Sequence, residues 1–182
     1  MPGPRDGAGV RPVPPLRTRP PGDADERTSL VGWLDLQRAV VHLKCAGLSD
    51  ADAHRVLLPT SPRMTVAGLV SHLRWVEHCW FEVLLLDRPK EVDPQFGDVA
   101  DADFAVEDVP LADLVEQYER QCAVSDEITA ATPLDAFGQN TEYRADTLTL
   151  RWILGHVVEE TARHVGHLDL LREQLDGTRG HR

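Results

Sequence analysis

Three histidines and two glutamates crowd into the run HVVEETARHVGH, residues 156–167. Imidazoles and carboxylates move protons near neutral pH and ligate divalent cations, so their placement on an element decides what they do. Ile153, Val157, Leu171 and Leu175 recur at three-to-four spacing, the buried stripe of an amphipathic helix. Carried through the middle of the run, that stripe lands on Glu160, His164, and His167 or Leu168. Glu160 and His164 are four residues apart, one turn along the same face. A carboxylate and imidazoles buried there without partners are costly. The remedies are a hydrogen-bonded network, a salt bridge or a metal ion.

A second inward-facing histidine, His72, lies in the run TVAGLVSHLRWVEHCWF with Leu69 and Val76. If its helix meets the last one, His72, Glu160 and His164 bring two nitrogens and one oxygen to a common point. Three protein donors with an open position describe a catalytic rather than a structural zinc site. The residues alone favour a buried polar network or exposed helical ion pairs over a metal, because Glu-x-x-x-His is common on helix surfaces. Repeated Glu-x-x-His motifs, which a ferritin-like di-iron centre needs, are lacking. So are Cys-x-x-Cys, P-loop and dinucleotide-binding motifs.

The neighbouring side chains have duller readings beside sharper ones. His156 and His167 flank the proposed donors and are candidates for orienting a ligand, shuttling protons, or replacing Glu160. His42, His54, His78 and His181 have no convergent partner in the sequence and read as structural or exposed. Cys79 shares the face of His72, but it reads, like Cys45 and Cys122, as a small buried hydrophobe. Trp33, Trp75, Trp80 and Trp152 read as packing. Arg74, Arg151 and Arg163 are candidates for holding a substrate carboxylate, with Arg163 turned about 100° from His164 and expected to pair on the surface.

Helices must carry these residues. The spacing of Leu30, Leu34, Gln37 and Val41 predicts a helix from Glu26 to Lys44, stopped at Gly47. Ser49 reads as the cap of a short helix over Asp50–Leu57. Longer helices are predicted over Thr65–Asp87, Leu111–Ala131 and Leu148–Asp176, with Gly177 as the last cap and loops at 90–110 and 132–147. Alternating β-branched runs are few, and no internal repeat is present. The fold class is therefore all-α, an antiparallel four-helix bundle with a short extra helix.

Composition bounds the rest. The chain has 182 residues and a formal charge of −11, with 19 Lys and Arg against 30 Asp and Glu. Residues 1–24 form a Pro/Gly/Arg-rich stretch that reads as a disordered tail, leaving 25–180 as the bundle. The first 22 residues are basic, so the remainder is still more acidic, near −14 by formal count. That balance excludes a nucleic-acid partner, which needs a basic face. No apolar run reaches the roughly 20 residues that span a bilayer, and no secretory signal is visible. An odd count of 3 cysteines argues against a disulfide framework. The expected location is the cytoplasm.

The phrases TVAGLVSHLRWVEHCWF, LRWILGHVVEETARHVGHLDLLREQLDG and ERTSLVGWLDLQRAVVHLKCAGLS resemble the DinB-like metalloprotein superfamily. More closely they resemble its actinobacterial branch of mostly uncharacterised members, related to mycothiol-dependent S-transferases and maleylpyruvate isomerase. The resemblance covers roughly residues 25–180 and implies a four-helix bundle and, by analogy with related bundles, a homodimer. It implies a divalent metal on one His of the second long helix and an i, i+4 pair on the last. By position these are His72, Glu160 and His164, with Gly166 as the glycine two residues after the final ligand. The chain departs from the commoner triple-histidine pattern at Glu160. Such a set suits zinc foremost, and also nickel, manganese or iron. The implied activity is a thiol S-transferase or thiol-dependent isomerase. It would act on a small electrophile with mycothiol or another low-molecular-weight thiol, and His156 or His167 would move protons. The alternatives are a metal-dependent hydrolase and a non-catalytic metal-binding or dimerising module.

Overall fold

The computed structural model describes residues 18–180, apart from 91 and 107. Most of the expected disordered tail, and His181, fall outside the described residues. Five helices follow in order: α1 (Glu26–Cys45), α2 (Asp50–Ala53), α3 (Val66–Glu77), α4 (Leu111–Ala131) and α5 (Leu150–Asp176). A π-helical stretch, His78–Leu85, prolongs α3 without a break. Short 3₁₀ turns lie at Pro94–Phe96, Ala102–Phe104 and Ala145–Thr147. Among the described residues there is no β-strand, only an isolated bridge between Phe137 and Thr149. No helix among them is long and apolar enough to cross a membrane. The chain is all-α, as its spacing predicts.

Local chemistry sets the helix ends. Asp25, Ser49, Thr65 and Thr149 each accept a hydrogen bond from a first-turn backbone N–H, satisfying a donor the helix cannot. Gly177 closes α5 with φ 79°, a left-handed conformation that glycine adopts without strain. The short helix α2 stops at Ala53 rather than Leu57. The Arg55 N–H turns back to the Asp52 carbonyl, and the His54 ring bridges the carbonyls of Asp50 and Val106 at 2.9 Å each. These bonds tie the chain to a distant loop where the helix would have continued.

Around the bundle the order is α1, α5, α3, α4. Cross-links between helices give their directions. Arg151 at the start of α5 pairs with Glu26 at the start of α1, and Lys44 at the end of α1 pairs with Asp169 near the end of α5, so these two run parallel. The starts of α3 and α4 share one cluster through Val66, Ala67, Leu111 and Leu114, while Gln121, further along α4, reaches Glu82 in the π stretch, so they run parallel too. Each parallel pair opposes the other. His72 near the start of α3 meets Glu160 and His164 well along α5, and Arg27 at the start of α1 bonds the carbonyls of Thr129 and Thr132 at the end of α4. Because α3 and α4 are parallel, the chain between them must travel back along the bundle. That return segment, residues 86–110, crosses the α3–α5 seam.

Among the described residues two large apolar clusters fill the bundle, and a small third gathers Cys79, Leu84 and Ala145. One large cluster centres on Leu69, Leu73, Tyr118 and Leu168, the other on Leu34, Phe81, Ile153 and Val157. An ion pair spans the core diagonally. Arg38 grips Glu77 with Nε–Oε1 and Nη2–Oε2 contacts of 2.8 Å each, at side-chain exposures of 6% and 1%. Burial opposes the charge on Arg38, but Glu77, with smaller help from Asp126, holds its pKa above the ordinary value. Glu77→Leu leaves the buried Arg38 only its more exposed partners Asp35 and Asp126, so it is expected to cost about 3 kcal/mol in urea unfolding. The double variant Arg38→Met/Glu77→Leu is expected to recover most of that loss.

His42 is equally instructive. It sits against Tyr118 and 3.3 Å from Glu119. Burial lowers its pKa below 6.5, only partly opposed by Glu119. The unfolded chain therefore takes up a proton below pH 6.5 that the folded one refuses, and stability drops as pH falls through that window. Melting temperatures between pH 8 and pH 5 are expected to fall below pH 6.5, with a shallower fall in His42→Gln. An equal slope in the variant would contradict this assignment.

Candidate metal centre

The seam between antiparallel α3 and α5 brings His72, Glu160 and His164 together. One ligand atom from each lies within 4.8 Å of the other two. Glu160 Oε1 is 3.0 Å from His164 Nε2 and 3.4 Å from His72 Nε2. Donors about 2.0–2.1 Å from a tetrahedral ion stand about 3.3 Å apart, so these separations match a shared cation. The side chains of the three are 11–14% exposed, which leaves the group reachable from solvent.

The outer contacts orient the rings. His72 Nδ1 lies 2.5 Å from Asp103 Oδ2, so its Nδ1–H donates there and the Nε2 lone pair faces the site. Asp103 also accepts from Gln95 Nε2 at 3.1 Å. Burial pushes the Asp103 carboxyl up, but the bonds from His72 and Gln95 hold it below its ordinary value. His164 Nδ1 is 3.2 Å from His167 Nδ1. His164 Nε2 hydrogen-bonds Glu160 Oε1, and only a cation replacing that proton, with His164 donating Nδ1–H to His167, would turn the Nε2 lone pair to the same point. Arg163 takes Glu160 Oε2 at 3.2 Å, leaving Oε1 for the histidines. Burial raises the Glu160 pKa, yet the charge of His164, with its hydrogen bond, brings it below the ordinary value. Burial and the nearby His72 keep the His164 pKa low, which preserves the neutral ring that a metal ligand requires. An N₂O donor set with an ionised carboxylate fits a divalent cation.

The return segment supplies the outer shell. Its 3₁₀ turn Ala102–Phe104 places Asp103 behind His72 and stacks Phe104 on the ring at 4.3 Å and 15°. Ser71 donates to the Asp103 carbonyl at 2.6 Å. Gly68 makes the crossing possible: a Cβ there would meet the Phe104 carbonyl at 3.2 Å and collide with that of Arg63. None of this was readable from the acidic segment 91–108, which has no characteristic spacing.

Other predicted residues fall elsewhere. His167 stands behind His164 rather than among the donors. His156 lies one turn before Glu160, with its ring 4.4 Å from Trp80 and 5.4 Å from Trp152. His42, His54 and His78 do have partners, namely Glu119, two backbone carbonyls and Asp93. They remain structural. Burial pushes the Cys79 thiol up to about 12, so it stays protonated and reads as a packed hydrophobe. Arg163 does more than pair on the surface: it bonds Glu159 and also reaches Glu160. Arg151 is committed to Glu26 and Asp135. Trp33 and Trp152 are 41% and 48% exposed and are not core.

A family model described as Mycothiol-S-transferase matches residues 29–177. The chain belongs to the mycothiol-S-transferase family. Among curated proteins and among solved structures nothing matches. The span shared with the mycothiol-S-transferase family contains all three donors, Asp103 and both flanking histidines. The DinB-like resemblance of the sequence agrees with this membership.

His72→Ala and His164→Ala are expected to abolish zinc retention, measured by elemental analysis after desalting, while His42→Ala keeps it. Asp103→Asn is expected to weaken zinc affinity about 10–100-fold in a chelator competition. Full retention in both histidine variants would overturn the ligand assignment.

Proposed function

We propose that this protein is a metal-dependent thiol S-transferase that joins a low-molecular-weight thiol, mycothiol in the family's name, to a small electrophile. The observation that carries the reading is the convergence of His72 Nε2, His164 Nε2 and Glu160 Oε1 within 4.8 Å of one another. A divalent cation there, zinc foremost, supplies charge that favours thiolate over thiol at neutral pH, and three protein donors leave a position open.

The chain's own residues do the rest. Asp103 and His167 hold the two imidazoles in the tautomer that presents Nε2. Arg163 engages the second oxygen of Glu160 and keeps the carboxylate from swinging away. Phe104 covers one face of His72 and limits water there. His156, with its side chain 27% exposed and one turn from Glu160, is the group placed to carry the thiol proton to solvent. His167 acts through His164 and is a positioning residue. In the transfer, a sulfur–carbon bond forms as the carbon–leaving-group bond breaks, and the leaving group departs with the electron pair. The three free cysteines are compatible with a reducing compartment, which supports a cytoplasmic location.

Zinc-loaded protein is expected to conjugate a model electrophile only when a low-molecular-weight thiol is present, and His164→Ala is expected to lose that activity. Thiol-independent hydrolysis of an ester or amide by the same preparation would sink the transferase reading and favour a hydrolase.

A further inference from the structure

Trp152, His156, Glu160 and His164 follow one another at four-residue spacing, a single ridge along α5 with steps of about 6 Å. The ridge winds slowly out of the seam. His164 is 8% exposed, whereas Trp152 is 48% exposed. Across the seam, α3 and its extension present His72, Val76 and Trp80. In a uniform α-helix Trp80 would sit roughly 80° round from His72. The wider π turn from His78 reduces that offset and brings Trp80 back toward the seam. There its ring meets Trp152 at 5.5 Å and His156 at 4.4 Å, and His156 stacks on Trp152 at 16°. Val76, 4% exposed, lies between the two ends. The seam thus carries the polar triad at its inner end and three clustered rings at its solvent end.

Single exposed apolar residues need no explanation. Three rings in mutual contact, one turn from a donor triad and partly open to water, do. Indole faces are electron-rich and favour stacking on flat, electron-poor partners. We propose that Trp80, Trp152 and His156 form the acceptor subsite of the same centre, taking a flat, electron-poor unsaturated electrophile while the thiol occupies the triad end. This rests on the S-transferase reading for its role, although the binding itself does not. The protein's part is to hold the electrophilic carbon toward Glu160 and His164, and the covalent step is the substitution already described.

The test uses the full-length, zinc-loaded protein and the unreactive probe 2,4-dinitroaniline in equilibrium dialysis. Saturable binding is expected, weakened about tenfold in Trp152→Ala and largely restored in Trp152→Phe, with zinc content unchanged. Non-saturable binding, or unchanged affinity in Trp152→Ala, overturns the subsite. Kinetics then separate the two claims. With 1-chloro-2,4-dinitrobenzene, Trp152→Ala is expected to raise KM about tenfold, against a smaller rise with iodoacetamide, which has no flat ring to stack. If neither electrophile is conjugated but the dialysis pattern holds, the subsite stands and the transferase reading falls. If both are conjugated and the variant slows them equally, the subsite falls and the transferase reading stands.

Discussion

Glu160 Oε1 is approached by two imidazole nitrogens inside a helical seam, and much of the local structure exists to make that tolerable. A carboxylate and two histidines at half-buried positions must have every ring nitrogen and oxygen assigned. The assignments run outward in order: His72 to Asp103, Asp103 to Gln95, His164 to His167, and Glu160 Oε2 to Arg163. Each contact removes an alternative orientation. What is left is three potential donor atoms facing one another within 4.8 Å.

The bundle's directions explain where the outer shell comes from. Parallel α3 and α4 cannot be joined by a tight turn, so the chain returns along the bundle and passes the α3–α5 seam. The crossing is close because Gly68 has no side chain. Asp103 and Phe104 reach the back and face of His72 from that segment, and Asp93 reaches His78 from it as well. A long connection that reads as filler is thus the element that fixes the His72 ring. The diagonal Arg38–Glu77 pair, at the next turn of α3 beyond His72, pins α1 across the core and holds α3 in register.

Much of the fold and the donor set was legible in the sequence, because both depend on contacts a few residues apart. Caps at Ser49 and Gly177, the span of α4, and the Glu160–His164 pair are all local signals. His72 was legible because an imidazole interrupts an otherwise apolar face. Asp103 was not, being 31 residues from the ring it holds, in a segment without periodicity. The π stretch from His78 was hidden because apolar spacing hardly distinguishes the two helical windings over two turns. Arg163 misled in another way. Helical angle alone turns it from His164, but its long side chain spans three residues back to Glu160 Oε2. The exposed Trp152 looked like core because residue type does not reveal how a ridge winds out of a seam.

X-ray absorption at the metal edge of the zinc-loaded protein tests the central claim most directly. The account predicts two imidazole nitrogens and one carboxylate oxygen at about 2.0–2.1 Å, with an oxygen from solvent completing the shell. On adding a thiol, one sulfur at about 2.3 Å should replace that solvent oxygen. A sulfur already present before thiol is added, or a shell without imidazole scattering, would contradict the His72–Glu160–His164 centre.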